Sequence, residues 1–177
     1  MKITEMRVTP IAIVDPPLLN AAGLHAPYAL RTIVELVTDS NVTGVGEVTG
    51  SVAITEALEA ARDVVVGMDP FNLSKLRLDL KARFGGARKE GDRPWDKQLY
   101  IYALSATEVA CYDIIGKETG RPVCDLIGGK VRERVQFSAY LFYKHKGAGG
   151  ERGFDVHPHA AGWQAGREAA ALDPAGV

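Results

Sequence analysis

Few side chains in this sequence combine a reactive type with a spacing that chemistry can use. Asp113 is a carboxylate within an apolar-rich run that starts at Gln98, where it could act as an acid or a metal ligand. The structural alternative is a carboxylate satisfied by a nearby backbone amide or cation, and that is the expected role. His25 lies in the apolar stretch L-L-N-A-A-G-L-H-A-P, Leu18 to Pro27, where an imidazole can donate to a bound anion or merely face solvent. His157-Pro158-His159 places two imidazoles close together, but no Cys, Asp or Glu pattern completes a metal site and the intervening proline restricts their convergence. Cys111 and Cys124 have neither the C-x-x-C spacing of a metal or redox site nor a disulfide framework, so reduced core thiols are expected. Tyr140, in V-Q-F-S-A-Y-L-F-Y, reads by itself as a core aromatic whose hydroxyl finds a partner.

The elements that must position these groups begin with one long helix. Leu99, Ala103, Ala106, Ala110 and Ile114 recur at helical offsets, and the small side chains on that face let the helix approach a neighbour closely. Lys117 suits the carbonyl end of the helix, Gly120 tolerates positive φ, and Pro122 stops the same helix from resuming. A short helical turn, Val123 to Ile127, precedes Gly128-Gly129. Upstream, Ile3 to Val14 and Tyr28 to Thr38 read as strands, with Asp39-Ser40-Asn41 as a turn and Gly44 to Val48 as a short third strand. Their short connections predict an antiparallel meander. The glycines at 44 and 46 do not make a phosphate loop, because no Gly-Lys-Ser/Thr ending and no third glycine follow; a close-packed strand is the simpler account. One helix is expected after Thr55, with Leu58, Ala61, Val64 and Val65 on its inner face, and another after Asn72 or Ser74, with Leu76, Leu80 and Phe84. Sheet first and helices after is an α+β order.

Composition narrows the function classes. The 177 residues are 46% hydrophobic with a formal net charge of −1, which describes a globular protein without the basic stripe of a nucleic-acid binder. No stretch is long and apolar enough to span a membrane, and M-K-I-T-E-M-R does not build a signal-peptide core, so a cytoplasmic location is expected.

Beyond Gly129 the pattern changes. Val135 to Tyr143 reads as a strand with apolar residues on both faces, the kind that expects cover on each side, as in a parallel barrel. Lys144 to Ala161 is a glycine- and histidine-rich loop, and Asp173-Pro174 reads as a helix N-cap with proline at the first helical position. The expectation is a chain whose next helix lies past Val177.

The run Ala106-x-Glu108-x-Ala110-x-x-Asp113-Ile114-x-Gly116-Lys117-x-x-Gly120-x-Pro122-x-x-x-Leu126-Ile127-Gly128-Gly129 resembles the signature that ends the N-terminal capping domain in the mandelate racemase-like branch of the enolase superfamily. The resemblance implies a capping domain over residues 1–130, a three-stranded meander followed by helices, and over 131–177 the first strand and following loop of a truncated (β/α)8 barrel. It further implies proton abstraction next to a carboxylate with Mg2+ stabilising the enediolate. The Lys base, the metal ligands and the His-Asp pair of that family lie on later barrel strands, so no catalytic or metal-binding residue is expected within these residues.

Three local matches resemble glucarate dehydratases: Gly23 to Tyr28 followed by Arg31-x-Ile33-Val34; Thr43 to Glu47; and Tyr140-Leu141-Phe142. By that resemblance His25 and Tyr140 contact substrate, and Phe142 forms a wall. Pro94 stands where that family uses a Thr, and proline cannot donate a hydrogen bond, so the implied substrate is an acid sugar of this class without glucarate itself being specified. The implied partners are that small molecule, the missing barrel and, when complete, further copies in a homo-oligomer. A racemase or cycloisomerase with the same cap, and a free-standing binding module using Leu18 to Leu24 and Val135 to Tyr143 as its surface, are the other readings.

Overall fold

A computed structural model describes residues 1–14, 19–20, 23–24, 28–85 and 99–139. Three strands, β1 (Ile3–Val14), β4 (Tyr28–Thr38) and β5 (Thr43–Thr49), form a sheet in the order β1-β4-β5, and β2 (Leu19–Asn20) pairs with β3 (Gly23–Leu24) in a separate two-stranded ladder. Helices α1 (Val52–Val65), α2 (Leu73–Phe84), α3 (Leu99–Thr119) and α4 (Val123–Leu126) follow. The α+β order expected from the sequence is the observed one. By contact the chain divides into two compact units, Met1–Ile11 with Leu30–Glu133, and Ala12–Ala29 with Arg134–Val177.

In the first unit, β4 and β5 are antiparallel with Val34 opposite Gly46 and Leu36 opposite Gly44. Period-2 alternation sends Thr32, Val34, Leu36 and Thr38 to the buried face of β4, and Gly44, Gly46 and Val48 to the buried face of β5. The turn between them is held by Thr38, whose hydroxyl donates to the Val42 carbonyl (3.0 Å) and accepts from the Val42 amide (3.1 Å). Against this face lie Leu58, Ala61 and Val65 of α1, Leu76 and Leu80 of α2, and Ala103, Ala106, Ala110, Cys111 and Ile114 of α3, which close one core with Ile3 and Met6 of β1.

Three local expectations change. Helix α1 starts a turn earlier than Thr55 suggested: Ser51 Oγ accepts from the Ile54 amide (3.2 Å) as the N-cap. Thr55 instead shares a hydrogen bond of 3.2 Å with the buried Thr32 hydroxyl, joining α1 to β4. The stretch from Leu18 to Pro27, whose Gly23 and Pro27 read in the sequence as an irregular loop, contains a short ladder, since Leu19 pairs with Leu24 and Asn20 with Gly23. The strand expected over 135–143 is not formed over its described part: residues 135–139 carry no ladder pairing and are exposed. A strand needs a neighbour's backbone as well as an apolar pattern, and among the described residues none is offered. Asn72 is the cap of α2, its Oδ1 accepting from the Lys75 amide (3.2 Å). Gly120, at φ +65, ends α3, and the Arg121 amide bonds back to the Gly116 carbonyl at 2.9 Å.

Candidate functional site

The Arg31-x-Ile33-Val34 part of one short match and the Thr43 to Glu47 match meet in the first unit. Arg31 of β4 and Glu47 of β5 form an ion pair of 2.9 Å across the exposed face of the sheet. Ile33 stands directly opposite Glu47, so the pair is a diagonal one. Both side chains are substantially exposed, and the pair fixes strand register more than it adds stability.

On the other face, β5 and α3 approach backbone to backbone. A Cβ on Gly44 would run into the Ala110 carbonyl oxygen and lie 2.6 Å from Ile114 Cγ1; on Gly46 it would run into the Ala106 carbonyl oxygen and lie 2.9 Å from the carbon that carries it. The Gly-x-Gly of β5 and the alanine face of α3 are therefore two halves of one contact. Each half was visible in the sequence, but nothing in the spacing of either said that they face each other.

Asp113 completes this seam. Its Oδ2 accepts from the Val45 amide (2.9 Å) and from Lys117 Nζ (2.7 Å), and Lys117 Nζ also donates to the Thr43 carbonyl (2.8 Å). The carboxylate is thus occupied by a backbone amide and a cation, which is the structural role expected of it. Lys117, expected to serve the carbonyl end of its own helix, reaches across to β5 instead. Burial pushes the Cys111 thiol up to about 12, with Glu108 contributing, so at neutral pH it is a protonated core group. Neither Cys111 nor Cys124 is in a disulfide.

The residues expected to touch substrate, His25, Tyr140 and Phe142, fall outside the described residues, as do Pro94, His157 and His159. The β2–β3 ladder ends one residue before His25, and the exposed run 134–139 ends one before Tyr140. Among the described residues no group of three or more His, Cys, Asp or Glu side chains is placed to hold a metal ion. No helix among them is long and apolar enough to cross a membrane.

Comparison with known proteins adds to this geometry. Residues 5–128 match the family described as mandelate racemase / muconate lactonizing enzyme, N-terminal domain. A probable glucarate dehydratase of Streptomyces coelicolor is 39% identical over the whole of this chain and 41% of its own length. A crystallised enolase of Thermobispora bispora, complexed with magnesium and formate, is 43% identical with a TM-score of 0.81, over all of this chain and 40% of its own. Another, from Mycobacterium smegmatis and complexed with tartrate, is 42% identical with a TM-score of 0.81, over 99% of this chain and 39% of its own. The chain thus spans about two-fifths of the length of these relatives. With 5–128 matched, which is most of its length, the chain belongs to the mandelate racemase/muconate lactonizing enzyme family of the enolase superfamily and carries that family's N-terminal domain.

Proposed function

We propose that this chain is the capping part of an acid-sugar dehydratase similar to glucarate dehydratase, an enzyme that removes the proton next to a carboxylate and eliminates water. The observation that carries the reading is the match to a probable glucarate dehydratase along the entire chain, including the segments around His25 and Tyr140. The tartrate held by one relative, a hydroxylated dicarboxylate, is chemically close to an acid sugar. In this reading residues 1–130 are the cap and 131–177 open the barrel, whose later strands supply the base. The described residues do not themselves fit the Mg2+ that the resemblance implies, so it would be held elsewhere in the complete protein. The unpaired thiols suit a reducing cytoplasm.

The cap's own contribution is recognition. A loop that folds over substrate excludes water and strengthens each polar contact inside. From the cap, His25 can donate to a carboxylate or hydroxyl of the acid sugar; from the opening strand of the barrel, Tyr140 can donate and accept through its phenol and Phe142 supplies an apolar wall. Because Pro94 cannot donate where a threonine would, an acid sugar of this class is proposed without glucarate itself being specified.

A panel of acid sugars incubated with the complete protein and Mg2+ tests the reading. Dehydration is expected to give a ketone, since the enol left after loss of water tautomerises. The family also includes racemases and cycloisomerases, and interconversion of stereoisomers or lactones without ketone formation would assign the cap to one of those. The 177-residue chain by itself is expected to turn over none of the panel.

A further inference from the structure

Strand β5 is the last strand of its sheet, with β4 on one side and no strand on the other among the described residues. An edge of this kind presents a row of N–H and C=O groups that another chain can use for strand addition. The Gly50 amide, just past β5, donates inward to the Leu30 carbonyl at 2.8 Å. By the two-residue alternation of an antiparallel ladder, Thr43 and Val45 therefore turn their backbone groups outward. Two of those outward groups are taken by α3: the Val45 amide donates to Asp113 Oδ2 and the Thr43 carbonyl accepts from Lys117 Nζ. The two side chains also bond each other, one turn apart on the helix, so each holds the other in place.

We infer that the Asp113–Lys117 pair closes the free edge of β5 against strand addition by a second copy of this chain. A donor and an acceptor from the helix stand where the acceptor and donor of an incoming strand would have to bind. The pair occupies them with charged groups, and a strand that displaced it would have to strip both of their partners. This function is separate from the tie between helix and sheet. Gly44 and Gly46 already provide such a contact through the backbone.

Sedimentation velocity on the 177-residue chain across a range of concentrations tests the inference. The double variant Asp113→Ala/Lys117→Ala is expected to self-associate more tightly than wild type, by about tenfold for each main-chain hydrogen bond that a second copy gains. Adding Val45→Pro, which removes the outward amide and sets the proline ring where an incoming strand would have to lie, should abolish that gain. A folded double variant with wild-type association overturns the inference, and so does a gain that survives Val45→Pro, since another surface would then be responsible. If the double variant loses its near-UV circular dichroism, Lys117→Met decides: it frees only the Thr43 carbonyl and should show a smaller gain, and no gain overturns the inference.

Discussion

The β5–α3 seam and the segment 131–139 are both rich in apolar residues, yet they meet opposite fates. In the seam, Val34, Ala106, Ala110 and Ile114 are fully buried, and the Gly-x-Gly of β5 brings the strand against helix backbone. In the segment, Val131 and Phe137 are each 92% exposed and Val135 is 66% exposed. The difference teaches that an apolar pattern states a demand for cover without naming what supplies it. For the seam the supplier is more than fifty residues away in the same chain; for the segment it is not among the described residues, and the proposed function places it in the barrel.

If the seam is the part that holds the cap together, the largest effect should come from forcing it open. Gly46→Val would drive a branched side chain into the Ala106 carbonyl, where backbone cannot yield as a side-chain tip can. A loss of about 3 kcal/mol in urea unfolding is expected, at the upper end for overpacking. A loss under about 1 kcal/mol would show that α3 is not seated where the backbone contact requires.

The alkaline limb of stability probes the same core through Cys111. Its unfolded thiol ionises near the ordinary value of 9.0, while the folded one is held up to about 12. Between those values the unfolded state binds fewer protons than the native state, so the contribution is complete below about pH 9 and is lost as pH rises towards 12. By pH 10.5, chemical unfolding should show a loss attributable to this thiol of about 2 kcal/mol, at about 1.4 kcal/mol per pH unit. Cys111→Ala should lack that part of the slope; an identical slope in the variant would show that the thiol is not sealed in the core. In the native protein an alkylating reagent should label Cys124 and spare Cys111.

Much of this was legible in the sequence for reasons that are local. The branched residues of I-V-E-L-V make β4 a strand, and the Lys117, Gly120 and Pro122 sequence marks where α3 ends. Asp113 could be assigned a structural role because an isolated carboxylate in an apolar helix must find a partner. Its partner was not legible, because Val45 is 68 positions away and an amide leaves no mark in a sequence. The start of α1 was missed because Thr55 also qualifies as a cap, and only burial of Ile54 and Ala57 shows that the inner face begins earlier. The short β2–β3 ladder was hidden for a similar reason: two-residue strands are too brief for any periodicity. Of the candidate site, the segments that carry it were legible only through resemblance, since neither a lone histidine nor a lone tyrosine specifies a ligand.

Smaller effects separate the two regions further. Asp113→Ala leaves the Val45 amide without its acceptor at a partly exposed position, so a loss of about 1 kcal/mol is expected, well below that of Gly46→Val. Equality of the two would mean that the ion pair, and not the backbone contact, holds the seam. Phe137→Ser should change the unfolding free energy of the 177-residue chain by less than about 0.5 kcal/mol, as befits an exposed position. A larger loss would place Phe137 in a core of this chain.

The proposal that the cap recognises substrate while the barrel performs the chemistry is tested most directly by steady-state kinetics of the complete protein carrying His25→Ala. Loss of one polar partner inside a closed site should lower kcat/KM for the preferred acid sugar by about 5- to 150-fold, equivalent to about 1–3 kcal/mol. The apparent affinity for Mg2+ should be unchanged. A kcat/KM equal to wild type across the acid sugars would contradict the assignment of His25 to substrate, and loss of Mg2+ affinity would contradict the division of labour between cap and barrel.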